Sequence, residues 1–363
     1  MERLAPPPAP ARHQRGLTLV EVMVGIAIGL VILAAMSVLF ATSSRTRVET
    51  ERAGLKIDNG RHALDTLAGE LQHAGFLAEF DPRTLPAPPA RPAACETSVA
   101  ALLAALPLAA LGQDNVAAGA LACLGGDLAP GTDVVVVRRA ATCTNGSADC
   151  TPLAAGMPAF QASSCSDPSE LGGADINNHY RFAAFPAAGA FTLRQRDCAT
   201  AAGLRRYVVR IYFVARNDRD GDGIPSLKRV ELGAAGWSAP LTLVQGVENL
   251  QVEWGLDTNG DGTPELYATD PDRYCASATP PVPAGSCWGL PVAARLYVLA
   301  RNPEASPGHT DTRRYALGKQ GDAATGVTTA ADASAGPFND ARRRNVYTRT
   351  VALQNVTARR FSP

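Results

Sequence analysis

Glu21 stands in an otherwise apolar run, residues 17–40. It lies five positions after Gly16, which closes a short leader holding Arg3, Arg12, His13 and Arg15. A carboxylate in a membrane-length apolar run is costly and is normally kept for a partner of opposite charge. Two acidic loops offer different chemistry. Asp218, Asp220 and Asp222 alternate and Gly223 follows; Asp257, Asn259 and Asp261 alternate and Gly262 follows. Oxygens at positions 1, 3 and 5 with glycine at 6 form the first half of an EF-hand loop, where alternate side chains converge on calcium. The bidentate Glu at position 12 is missing: Arg229 and Ala268 stand there. Each loop therefore reads as a β-hairpin calcium site or as an Asp/Gly turn that needs no metal.

Eight cysteines follow the apolar run. An even count beyond a membrane segment favours disulfides in an oxidising compartment. No CxxC pair or histidine cluster accompanies them, which argues against zinc. The short-loop pairs Cys143–Cys150 and Cys275–Cys287 are the simplest assignment. His62, His73, His179 and His309 are scattered, and no GxSxG, HExxH or P-loop pattern occurs, so the expected work is binding and not catalysis. The net charge of +0 gives no electrostatic case for nucleic acid. Trp237, Trp254 and Trp288 read as core or interface aromatics. The run Arg342, Arg343, Arg344 reads as a solvated face.

These groups need elements to carry them. The 24 apolar residues of 17–40 match a helix crossing a hydrocarbon core of roughly 30 Å. The basic flank stays in the cytoplasm, which puts the bulk of the chain across the membrane. An ordinary signal peptide has its small-residue cleavage site after the apolar core. Here the small residue precedes it, so the helix would survive cleavage. No proline interrupts the sequence between residue 40 and Pro82, and Ile57, Leu64, Leu67 and Leu71 recur at helical spacing. One helix is expected over about 17–74, ending near Gly75, with its second half packed through that stripe.

The proline-rich stretch 85–92 is extended, and 98–111 is expected to hold a short helix. Strands are expected at 133–138, 180–185, 190–196, 207–215, 227–232, 247–256, 266–267, 292–301 and 343–355, with disulfide-tied loops over 140–180. The fold class is α+β: a long N-terminal helix packed on a β-rich domain with disulfide-tied loops.

Residues 16–21, Gly-Leu-Thr-Leu-Val-Glu, resemble the class III signal of type IV pilins and pseudopilins. The resemblance implies cleavage between Gly16 and Leu17 by a prepilin peptidase, methylation of the new amine, and pairing of Glu21 with that amine on a neighbouring subunit. Leu17 departs from the usual Phe. Residues 226–231, 244–255, 257–262, 292–301 and 343–355 are similar in kind and order to segments of minor pilins. The implied organisation is a leader at 1–16, a membrane helix at 17–40, its amphipathic continuation at 41–77, a variable cysteine-containing region at 78–205 and a β-rich pilin-like region at 206–363. The implied function is priming of pilus assembly at the fibre tip. The implied partners are other minor pilins, the major pilin and a tip adhesin. The rival readings are a minor pseudopilin of type II secretion and a membrane-anchored calcium-binding adhesin or periplasmic enzyme. An anchored enzyme would keep residues 1–16 or lose the whole apolar segment.

Overall fold

The long element α1 (Leu19–His73) is a helix of 55 residues. The computed structural model of the chain describes residue 16 and residues 18–361. Two compact units make up the chain, Met1–Ala53 and Gly54–Pro363. In the first, α1 is long and apolar enough to cross a membrane, and its large apolar side chains from Leu19 to Phe40 are exposed. In the second, Leu64, Leu67 and Leu71 of α1 are buried in a core shared with Val136, Ile211 and Trp254. Burying each such side chain contributes about 1.5–3 kcal/mol. The helix stops at Gly75, whose φ of +73° is left-handed and whose N–H donates to the Arg138 carbonyl at 2.8 Å.

After α2 (Val99–Ala104), the larger sheet is built from β1 (Ala110–Val116), β2 (Thr132–Ala140), β3 (Pro158–Ala162), β4 (Tyr180–Ala184), β5 (Arg205–Ala215), β6 (Ser226–Gly233), β7 (Gly236–Trp237) and β8 (Leu241–Gln245). Its hub is β5, antiparallel to β2, β3 and β6. Runs of valine and aromatic residues suit these central positions, where both faces are covered. Arg210 of β5 ties the end of α1 to this sheet, reaching Glu70 at 2.5 Å and Glu231 of β6 at 2.6 Å.

A second sheet takes β9 (Val247–Leu256) and β10 (Leu266–Ala268). The short helices α3 (Pro271–Ser277) and α4 (Ala284–Cys287) follow them in the chain, and then comes β11 (Pro291–Arg301). A separate hairpin pairs β12 (Tyr315–Gly321) with β13 (Thr328–Ala335). The second sheet closes with β14 (Arg344–Ala352), in the order β10-β9-β11-β14, and the chain ends in α5 (Gln354–Phe361).

Several local expectations fail for physical reasons. The Ala/Leu-rich stretch 98–111 is helical only through Ala104, and its end enters β1, because pairing with the largely buried β2 outweighs helix propensity. The 140–180 loops contain a short strand, β3, which opens on a proline and carries one large apolar residue, Phe160, with no alternation to reveal it. Residues 190–196 form no strand; Arg194 makes a single bridge to Ala201. The expected terminal strand stops at Ala352, and α5 begins two residues on.

Candidate assembly site

At the start of α1, Thr18 and Glu21 cap the helix reciprocally. The Glu21 N–H donates to Thr18 Oγ1 at 3.3 Å, while Glu21 Oε2 accepts from the Thr18 N–H at 2.9 Å and from its hydroxyl at 3.0 Å. Helix starts leave amides without partners, and a Thr-x-x-Glu box satisfies two of them. Thr18 is the residue missed in the sequence; its spacing to Glu21 was the available signal. Among the described residues Glu21 meets only these neutral donors and no cation. Gly16 is exposed, and Leu17 lies outside the described residues.

The two acidic loops differ. Between β5 and β6, Asp222 turns inward: it accepts from the N–H groups of Asp218 at 3.1 Å, Arg219 at 2.9 Å and Ile224 at 2.9 Å. Asp218 accepts from Gln245 at 2.7 Å, and Asp220 is exposed. Among the described residues, no three carboxylates converge in this loop. The amides lower the Asp222 carboxyl below its ordinary value, Ile224 most. The first loop is built as a turn.

Between β9 and β10, Asp257, Asp261 and Glu265 bring carboxylate oxygens within 4.8 Å of one another. Glu265 thus joins the set, and Asn259 is spent on Asp261 at 3.1 Å. Asp257 is fully buried and accepts from Gly260 at 2.6 Å and Gly262 at 2.7 Å, glycines that both hold φ at +86°. Arg360 of α5 forms an ion pair with it. Burial pushes the Asp257 carboxyl up, but Arg360 and the two amides outweigh it, and the net direction is down. The oxygen set suits a hard cation, and a guanidinium already supplies positive charge there.

All eight cysteines pair: Cys95–Cys123, Cys143–Cys150, Cys165–Cys198 and Cys275–Cys287. Trp254 and Trp288 are buried edge to face at 5.3 Å, and Trp237 packs partly buried on the same core. Arg344 overturns the expectation of a solvated arginine run, being 1% exposed. It holds Asp340 through two bonds of 2.7 Å, Asp311 at 3.0 Å and Glu248 at 3.0 Å, and lies 3.7 Å from the centre of the Phe338 ring. Asp340 is four residues away, but Glu248 and Asp311 come from distant stretches of sequence, which a linear reading does not connect.

An apolar helix headed by a glycine, a threonine cap and a lone glutamate, continuing into a disulfide-tied β-rich domain, is the architecture of a type IV pilin. The model of the prokaryotic N-terminal methylation motif matches residues 11–37, and that of type IV pilus-assembly protein W (PilW) matches residues 211–355. No curated protein and no solved structure matches the chain. The chain is thus similar to PilW over its C-terminal part, and together with the methylation motif this supports a minor pilin of a type IV pilus.

Proposed function

We propose that this minor pilin enters the fibre through Glu21 and helps to prime assembly at the tip, binding other minor pilins and the major pilin. The observation that carries the reading is a carboxylate at the head of an exposed apolar helix, held by Thr18 and lacking a cation among the described residues. In a bilayer such a charge favours a neighbour that brings an ammonium group, and cleavage after Gly16 would create one at Leu17. Thr18 fixes Oε2 and leaves Oε1 for that neighbour. The inner membrane would hold the helix before extraction, with the β-rich unit on the periplasmic side, and a tip adhesin would be a further partner.

Intact-mass measurement of membrane-extracted protein tests the processing: the expected species begins at Leu17 and carries one methyl group, and a chain beginning at Met1 rejects the reading. Glu21→Ala should insert normally yet fail to join the fibre. Calcium at the 257–265 loop is a separate proposal, motivated by the three convergent carboxylates. A melting temperature indifferent to chelator would count against it.

A further inference from the structure

Four arginines crowd the face of the larger sheet beside the second half of α1: Arg139 of β2, Arg206 and Arg210 of β5, and Arg229 of β6. Among the described residues, their ion pairs reach only two carboxylates, Glu70 of α1 and Glu231 of β6. The cluster therefore carries positive charge in excess. That excess sits at Arg229. Its nearest carboxylate oxygen is Glu231 Oε2 at 3.8 Å, which Arg210 already takes at 2.6 Å, and its other polar neighbour is the uncharged Tyr212 hydroxyl. Arg206, Arg229 and Glu231 line a cavity of about 330 Å³ together with Ser238, Ala239 and Leu241. Leu241 of β8 is the cross-strand neighbour of Arg229. It is 52% exposed, an apolar side chain left in water beside a charge with no acid of its own.

A free anion on a guanidinium open to water gains little, because water and salt compete for both charges. A protein surface laid across Leu241 would bury apolar area and exclude water from Arg229 at the same time. A carboxylate arriving with that surface would meet the charge in a lower dielectric. Arginines ringed by apolar contact carry much of the energy at protein interfaces, and a local positive excess turns away partners of the same sign. We propose that this face binds a neighbouring pilin subunit through an aspartate or glutamate that stands beside an apolar side chain, the acid on Arg229 and the apolar group on Leu241. The proposal rests on the reading that the chain binds other pilins.

The test uses the full chain in cells that make the fibre, with photoreactive benzoylphenylalanine in place of the exposed Ala239. Ultraviolet light is expected to give an adduct whose cross-linked peptide, read by mass spectrometry, belongs to another pilin and holds an acid within a few positions of an apolar residue. Arg229→Gln and Leu241→Asn should each lose most of the adduct. Arg229→Lys should keep part of it, because the charge stays while the planar fork goes. Both lost contacts involve partly exposed side chains, and an unchanged melting temperature shows that the fold is retained. An adduct insensitive to both replacements overturns the proposal, as does a cross-linked peptide without an acid. No adduct from a chain that begins at Leu17 and is found in fibres overturns this surface alone, whereas a chain that keeps Met1 overturns the pilin reading with it. Salt-sensitive binding of a DNA duplex that Arg229→Gln abolishes, with no pilin adduct, would assign the patch to nucleic acid and reject the pilin.

Discussion

A side chain as buried as Arg344 must find as much charge as it brings. Arg301 of β11, Arg313 and Arg344 face Glu248 of β9, Asp311 and Asp340, and these bonds tie the start of β14 to β9 and to the loops that carry Asp311 and Asp340. Arg344→Ala removes the central cation and leaves its acids opposed, a loss expected at about 3–5 kcal/mol. The hydrogen bonds from Arg344 hold the Asp340 carboxyl at about 2. For Asp311, burial raises the carboxyl, and the Tyr315 hydroxyl and Arg344 overcome that to lower it. Carboxyls lowered on folding contribute stability that is complete above about pH 4 and fades as the pH falls toward their folded values. The gap between wild type and variant should thus be widest near neutrality and narrow at about pH 3. Urea unfolding at the two pH values measures it, and a gap independent of pH would show that these bonds are not its source.

Along α1, glycines of the same type do opposite things. A Cβ on Gly60 would run into the Tyr347 ring of β14, whereas one on Gly69 would meet open space. Gly69→Ala should therefore gain up to about 1 kcal/mol of helix propensity. Gly60→Ala should lose about 1–3 kcal/mol, because overpacking exceeds that gain. Chemical denaturation of the two variants side by side checks the contrast, and equal gains would mean that Tyr347 moves aside freely. This contrast also marks the limit of what could be read beforehand. Local patterns were legible: the stripe of Leu64, Leu67 and Leu71, the valines of β2, the aromatic run of β5, and Glu21 beside Gly16. Features assembled from distant segments were not. Nothing near Gly60 announces Tyr347, nothing near Arg344 announces Glu248, and Arg229 comes to lie beside Leu241 only once β8 pairs with β6. The strand β3 was hidden for a related reason, since its pairing with β4 and β5 supplies what its own residues lack.

For the chain as a whole, the four disulfides bear on where it resides. They close loops with sequence separations of 28, 7, 33 and 12 residues, and three of the eight cysteines, Cys165, Cys275 and Cys287, are 0–1% exposed. Such a set favours an oxidising compartment, which agrees with the orientation proposed from the basic leader. Loop closure makes the contributions unequal. Cys165–Cys198 spans 33 residues and Cys143–Cys150 spans 7, so paired Cys→Ser replacement of the first should cost about 1 kcal/mol more than replacement of the second. In the first variant, Glu170 and Arg194, which pair at 2.6 Å inside the loop, would also lose their anchorage, adding to the difference. A membrane-permeant maleimide applied to intact cells without reductant should label neither the wild type nor the remaining pairs. Labelling of the wild type would place the β-rich unit in a reducing compartment and contradict the orientation, whereas equal destabilisation by the two replacements would reject loop length as the cause.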